Sequence, residues 1–415
     1  MKTLDEWLRY IERQHPKSIA LGLERVAEVY SRMQASIDFP VITVGGTNGK
    51  GSTCAMLESI LRAAGYRTGL YTSPHLLRYN ERVSIGGVEA SDDSLVESFE
   101  AVEASRASVS LTYFEYGTLA ALWLFSRAKL DAAVLEVGLG GRLDAVNLID
   151  ADCAVLTSVG IDHVDYLGPT REDIGREKAG IFRAGRPAVV AEPDPPPAVL
   201  ASKAKLLLVG RDFGYTAEPG QWAYWGPGGR RGGLAYPALR GRMQLRNAAA
   251  ALCALDTLHG ALPVAMQHVR EGLAKVELPG RFQVLPGRPL VILDVAHNAQ
   301  AAKILAQNLA DSGFARETIA VCGMLRDKDI GAVVGELAPR ITRWHVASLP
   351  GPRGASAMDI KSHLDAEVHL FESAGEAFAA AKACAGEDDK IVAFGSFLTV
   401  AEVMAWLNNN KTSTR

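Results

Sequence analysis

The chain has 415 residues, 48% hydrophobic and 22% charged, with a net charge of −3. This is a globular composition too long for one ordinary core, so two or three domains are expected. No excess of positive charge marks nucleic acid or an anionic membrane as a partner, and no apolar run approaches a membrane span.

The N-terminus, Met-Lys-Thr-Leu-Asp-Glu-Trp-Leu, lacks the apolar region of a secretory signal. Cys54, Cys153, Cys253, Cys322 and Cys384 are odd in number, widely spaced and free of C-x-x-C pairs. They read as reduced thiols of a cytoplasmic protein.

The first informative segment is Val41-Ile-Thr-Val-Gly-Gly-Thr-Asn-Gly-Lys-Gly-Ser-Thr53, followed by a helical pattern from Cys54 to Gly65. A strand, a glycine loop and a helix start make a phosphate site: amides and the helix dipole point at the anion, and a lysine meets the outer phosphates. The expected ligand is a nucleoside triphosphate. The loop departs from G-x-x-x-x-G-K-[ST], because Gly51 stands between Lys50 and the hydroxyl of Ser52. A plain glycine turn with an exposed lysine is the blander reading, and the flanking strand and helix weigh against it.

Further strands are predicted near 68–72, 131–137, 153–159, 187–191 and 205–209, with helices between several of them, which argues α/β with mainly parallel sheets. Tyr71-Thr-Ser73-Pro-His75-Leu-Leu-Arg-Tyr-Asn80-Glu-Arg82 reads as a long polar loop, or only a Ser-Pro turn. The 131–137 strand ends in Glu136, with Gly138, Gly140, Gly141, Arg142 and Asp144 beyond it. A carboxylate at the C-terminal end of a parallel strand beside a phosphate loop suits Mg²⁺; a simple strand-end acid is the alternative. Asp162 and His163 follow the 153–159 strand, as a functional pair or as structural residues. Lys178 lies late in the helical stretch Arg171–Phe182, where a solvated cation complementing the helix C-terminus is the ordinary reading.

A small antiparallel excursion is expected over 213–243, then helices over 244–259 and 263–274. Glu277-Leu-Pro-Gly-Arg-Phe282 reads as a hinge. A second α/β domain follows, with strands near 289–295, 317–322, 342–347, 367–370 and 390–394. Asp294, His297 and Asn298, then Asp327-Lys-Asp329, then Ser396 end three of its strands, as one functional edge or as separate capped turns. The polar tail after Leu407 is expected to fray.

Together these residues resemble the folate-adding branch of the Mur ligase superfamily, the bifunctional dihydrofolate synthase/folylpolyglutamate synthases, over nearly the whole chain. The resemblance is carried by Gly46-Thr-Asn-Gly-Lys-Gly-Ser52, Ser73-Pro-His-Leu76, Leu111-Thr-Tyr-Phe-Glu-Tyr-Gly-Thr118, Leu135-Glu-Val-Gly-Leu-Gly-Gly-Arg-Leu-Asp144, Glu177-Lys-Ala-Gly-Ile181, Leu278-Pro-Gly-Arg-Phe282 and Asp294-Val-Ala-His-Asn298. It implies a P-loop ATPase domain over 1–278 and a smaller Rossmann-like α/β domain over 279–415. It further implies ATP-dependent addition of L-glutamate to 7,8-dihydropteroate and to reduced folates through an acyl phosphate. Phosphoryl transfer needs positioning and charge neutralisation more than a protein nucleophile, so the lack of a catalytic triad is no objection.

By matched position, the resemblance implies that Gly46, Thr47, Asn48, Gly49, Lys50, Gly51 and Ser52 hold ATP, with Asn247, Arg281, Asp294 and His297. It implies Ser73, Glu136 and His163 as Mg²⁺ ligands, with Lys178 carbamylated as a further metal-positioning group. Lys50, Lys178 and His163 are then the catalytic set. Ala20, Leu21, Gly22, Thr112, Tyr113, Phe114, Arg142 and Asp144 fall at the pterin pocket. A K⁺ requirement and a monomer are expected, and ATP is expected between the domains, so that closure assembles the site. In one departure, the family pattern Ile-Asp-x-Gly-Leu-x-Arg reads here Ile19-Ala-Leu-Gly-Leu-Glu-Arg25. Ala20 cannot accept the pterin N–H donors that a carboxylate would, so another acid must substitute or dihydropteroate binds more weakly. That favours a monofunctional folylpolyglutamate synthase as the alternative, whereas Thr112-Tyr-Phe-Glu-Tyr116 favours both activities. A cell-wall Mur ligase would need a nucleotide-sugar domain before the loop, where only about forty residues stand. A silent nucleotide-binding regulator would not need Lys50, Glu136, His163 and Lys178 together.

Overall fold

The computed structural model describes residues 2–17 and 19–411. The chain divides into two compact units, Met1–Ala238 with Leu245–Val276, and Leu239–Gln244 with Glu277–Arg415. The first is built on eight strands: β1 Val41–Gly45, β2 Thr68–Tyr71, β3 Val83–Ile85, β4 Val88–Glu89, β5 Ala132–Glu136, β6 Cys153–Leu156, β7 Pro187–Val190 and β8 Lys205–Leu208. Their order is β4-β3-β2-β5-β1-β6-β7-β8. The pairs from β2 to β8 are parallel, while β2–β3 and β3–β4 are antiparallel. β1 is buried at every position, as its unbroken Val-Ile-Thr-Val run requires of a strand covered on both faces. Its neighbours β5 and β6 are also buried throughout.

The order places the C-terminal ends of β2, β5, β1 and β6 side by side, in the crevice where open α/β sheets bind ligands. Helix Lys50–Ala63 leaves β1 directly and is buried almost all round. Helix Met266–Lys275 presses on it through Gly272, where a Cβ would meet the Ile60 Cα at 2.5 Å. Helix Tyr113–Arg127 starts in a capping box: Thr112 Oγ1 accepts the Glu115 N–H at 3.2 Å, and Glu115 accepts the Thr112 N–H at 2.7 Å.

The antiparallel excursion is a sheet of β9 Gly214–Glu218, β10 Gln221–Gly226 and β11 Gly229–Leu234. It is tied to helix Gln244–Thr257 through Asp256, which accepts hydrogen bonds from Tyr224 (2.5 Å), Gly228 N–H (3.0 Å) and Arg231 (2.6 Å).

The second unit carries β12 Gln283–Leu285, β13 Leu290–Leu293, β14 Thr318–Cys322, β15 Arg343–Ala347, β16 Val368–Phe371 and β17 Lys390–Phe394, in the order β12-β13-β17-β14-β15-β16. All pairs are parallel except β12–β13. Ile292, Ala320, Cys322, Trp344, Val346, Val392 and Phe394 form its centre.

Three expectations change. The 83–89 hairpin and β12 are strands not anticipated, short edge pieces whose polar residues hide the alternation. The 153–159 strand stops at Leu156, because Thr157 and Ser158 turn their hydroxyls onto the phosphate loop. The tail does not fray at Leu407: the last helix runs Phe397–Lys411, and Asn410 Nδ2 donates back to the Trp406 carbonyl at 2.8 Å. Residues 412–415 lie outside the described residues.

Candidate active site

The glycine loop is fastened to the end of β6. Thr47 N–H donates to Ser158 O and Asn48 N–H to Ser158 Oγ, both at 2.9 Å. The Thr47 hydroxyl exchanges hydrogen bonds with both backbone groups of Gly160. These two amides are therefore spent on the loop's own shape. Gly49, at φ 92°, is the residue before that helix, and a Cβ there would meet Asn247 Oδ1 at 2.7 Å. Gly46, at φ 146°, has room for no side chain, because a Cβ there would overlap Thr157 Oγ1. Lys50 Nζ lies at 3.2 Å from the Gly46 carbonyl and 3.4 Å from that of Thr47, folded along the loop. Gly51 and Ser52 are buried in the first helical turn, and the Thr53 hydroxyl bonds back to Gly49 O at 3.0 Å.

Glu136 is 4% exposed at the end of β5 and accepts the Ser73 N–H at 3.0 Å, joining two expected metal ligands. His163 follows β6 at φ 53°, with Asp162 beside it at 3.9 Å. Its loop is held at Val159, whose N–H donates to buried Glu192 (2.8 Å) and whose carbonyl accepts from Arg171 (3.1 Å). Among the described residues no three His, Cys, Asp or Glu side chains form a metal cage. Ser73, Glu136 and His163 are a sparse, oxygen-rich donor set. That fits Mg²⁺, which keeps waters and takes phosphate oxygens in place of a full protein cage.

Lys178 is 4% exposed, so the solvated-cation reading is wrong. Burial, with Lys50 nearby, lowers its amine to about 7. Its helix is locked to the 138–144 loop: Arg142 N–H donates to Glu177 O at 2.8 Å and the Arg142 guanidinium meets the Glu177 carboxylate at 2.8 Å. Arg142 is thus engaged with the lysine helix.

Around the expected pterin pocket, Gly22 N–H donates to Leu143 O at 3.2 Å, and Arg25 joins the Ala20 carbonyl (2.7 Å) to Glu115 (2.6 Å). This brings Ala20, Leu21 and Gly22 together with Thr112 and Asp144. Asp144 is 3% exposed and accepts the Leu139 and Val146 N–H groups, while burial pushes its carboxyl up to about 7. Glu115 and Asp144, two acids beside Ala20, are therefore engaged in holding the fold. Phe114 lies over Gly138, where a Cβ would meet its ring at 2.6 Å, and 6.0 Å from the Tyr71 ring.

In the second unit Asp294, just after β13, accepts the Phe282 and Ala296 N–H groups at 2.9 and 2.8 Å. Burial raises its carboxyl, opposed by nearby Arg281 and His297. The Arg281 guanidinium lies 4.9 Å from the Phe397 ring, and the His297 ring is tilted against the same ring at 6.3 Å. These three expected nucleotide residues form one cluster at the ends of β13 and β17.

Known proteins match this arrangement. Residues 44–210 fit the Mur ligase middle domain and residues 280–397 the Mur ligase glutamate ligase domain. The Escherichia coli dihydrofolate synthase/folylpolyglutamate synthase is 47% identical over 406 residues, covering 97% of this chain and 94% of that protein. The chain belongs to this family of Mur ligases. The structure of E. coli FolC in complex with DHPP and ADP superposes with a TM-score of 0.95 at 46% identity, covering 99% of both chains. A bifunctional folylpolyglutamate synthase/dihydrofolate synthase with Mn, AMPPNP and L-glutamate bound gives 0.90 at 46% identity, covering 98% of each. As a member of the family this protein is an ATP-dependent ligase of folate metabolism. Arg25 and Glu115 stand inside quoted motifs without their pairing being visible there, and Arg171 and Glu192 carry no motif; all four act through contacts distant in sequence.

Proposed function

We propose that this ligase adds L-glutamate both to 7,8-dihydropteroate and to reduced folates, with Mg²⁺ as its divalent ion, in the cytoplasm. The observation that carries this is the convergence of Lys50, Ser73–Glu136 and the His163 loop at four adjacent strand ends, with Lys178 buried nearby.

The acceptor's carboxylate oxygen attacks the γ-phosphorus of ATP and ADP leaves, giving an acyl phosphate. The neutral amine of L-glutamate then attacks the acyl carbon; phosphate departs, the nitrogen loses a proton, and an amide remains. Lys50 neutralises charge on the transferring phosphoryl group, and the helix start behind Gly49 receives its oxygens. Ser73, Glu136 and His163 would hold Mg²⁺, whose chemistry there is charge neutralisation on the phosphates. An amine lowered to about 7 is substantially unprotonated at neutral pH, as Lys178 must be to add to carbon dioxide, form a carbamate and release a proton. The carbamate would supply an anion to the metal site. Asn247 against Gly49, and Arg281, Asp294 and His297 in the second unit, are assigned to the nucleotide. Thr112, Tyr113, Phe114 and the 20–22 segment are assigned to the pterin, with Arg142 and Asp144 ordering its edge. All five cysteines are free, in keeping with a reducing compartment.

Ala20, with Glu115 and Asp144 already engaged, favours a second reading in which only folates are glutamylated. Phosphate release is measured with Mg·ATP, K⁺ and L-glutamate and either 7,8-dihydropteroate or tetrahydrofolate, with products identified by mass. Turnover with both establishes the dual enzyme. Turnover with tetrahydrofolate alone leaves the second reading, and turnover with neither rejects both.

A further inference from the structure

Arg82 ends the turn Tyr79–Arg82 and immediately precedes β3. Its carbonyl accepts the Thr72 N–H at 2.9 Å, so it stands beside Ser73, whose N–H meets Glu136. The residue is only 9% exposed. Its guanidinium carbon lies 5.3 Å from the Tyr79 ring and 5.4 Å from the Tyr113 ring, and Nε donates to His75 Nδ1 at 2.8 Å. Accepting that bond requires an unprotonated Nδ1.

Among the described residues no carboxylate lies within ion-pair distance of Arg82. By contrast, the partly buried guanidinium groups of Arg25, Arg106 and Arg231 each reach an acid at 2.6 or 2.7 Å. A desolvated cation without an anion is costly, and two tyrosine faces and a neutral imidazole offset only part of that. Nε is engaged, which leaves the outer edge of the guanidinium fork. Such a fork matches a carboxylate in bidentate fashion.

We propose that Arg82 is a substrate-binding residue whose guanidinium receives a carboxylate of the acceptor, an inference that rests on the acceptor class assigned above. Two sources carry this chemistry: the carboxylate that becomes activated, present in both acceptors, and the α-carboxylate of a glutamyl group, present only in folates.

The test compares wild type, Arg82→Gln and Arg82→Lys as full-length proteins. KM and kcat are measured for 7,8-dihydropteroate and for tetrahydrofolate, with ATP and L-glutamate KM alongside. Arg82→Gln is expected to raise acceptor KM at least tenfold while ATP and L-glutamate KM stay within twofold. Arg82→Lys, which keeps the charge and loses the fork, should recover part of the loss. A rise with both acceptors identifies the activated carboxylate; a rise with tetrahydrofolate alone identifies the α-carboxylate. An unchanged acceptor KM, or an equal shift in every substrate's KM, overturns the proposal.

A binding comparison of 7,8-dihydropteroate with its primary amide extends the test beyond turnover. If Arg82 holds the activated carboxylate, wild type prefers the acid by a factor that Arg82→Gln or Arg82→Lys removes or reduces; equal preference in wild type and variants excludes that source, and together with an unchanged tetrahydrofolate KM overturns the assignment. Absence of wild-type turnover would reject the ligase reading separately, because the acid–amide comparison does not depend on it.

Discussion

Lys50 and Lys178 show how one residue type serves opposite ends by environment. Lys50 is half-buried along loop carbonyls, where it can meet phosphate. Lys50→Ala should lower phosphate release on the order of 10³-fold, the scale of removing one transition-state charge partner, with circular dichroism and thermal unfolding close to wild type. Unchanged turnover would remove the phosphate-loop assignment. Lys178 is held at about 7 against an ordinary 10.5 by burial and by Lys50. Between those values the unfolded chain binds a proton that the folded, unmodified chain lacks, so stability rises with pH from about 7 to about 10.5 and the full penalty applies below 7. The neutral amine also becomes dominant as pH rises through 7. At limiting carbon dioxide, activity should climb between about pH 6 and pH 8 and rise further on adding bicarbonate. Lys178→Arg should be inactive at either pH and indifferent to bicarbonate. Incorporation of isotope-labelled bicarbonate into wild type alone would complete the check.

The elements that hold the site take their shapes from a few close approaches and buried ion pairs. The strand–glycine-loop–helix unit was legible in residues 41–53 because strand, glycines, lysine and helix are consecutive there. Its attachment to Thr157, Ser158 and Gly160 was not, because those residues follow β6, more than a hundred positions away. The three-stranded excursion depends likewise on Asp256, whose side chain is 1% exposed and serves Tyr224, Gly228 and Arg231 together. Asp256→Ala strands that guanidinium and hydroxyl and should cost about 3–5 kcal/mol, read by urea unfolding. A loss below about 0.5 kcal/mol would show that the sheet is held by its apolar contacts instead.

For the molecule as a whole, two α/β units each keep a core, and candidate nucleotide residues occur in both. The first unit holds the loop, Asn247 and the proposed metal donors; the second holds the Arg281, Asp294 and His297 cluster. Ligand linkage follows from this assignment. ADP with Mg²⁺ at a hundredfold excess over its dissociation constant should stabilise the folded protein by about 2.7 kcal/mol. The shift should shrink on chelation of the metal and vanish in Lys50→Ala. A shift unaffected by chelator would argue against a metal held at Ser73, Glu136 and His163. With two units, the unfolding is to be read as more than one transition and not as a single midpoint.

Local pattern was sufficient wherever the chemistry is contiguous. β-branched runs announced the buried parallel strands, glycines flanking Lys50 announced the tight loop between β1 and its helix, and the ordered series of motifs announced the family. Contacts between distant segments decided the rest. The burial that turns Lys178 from a solvated cation into an amine near 7 comes from packing that no window around it records. The engagement of Glu115 with Arg25 and of Asp144 with backbone amides exists only after folding. So does the setting of the Arg82 guanidinium, between two tyrosine rings and with no carboxylate at ion-pair distance among the described residues. Charge and burial are set by what surrounds a side chain in three dimensions, and neighbours along the chain carry only part of that environment.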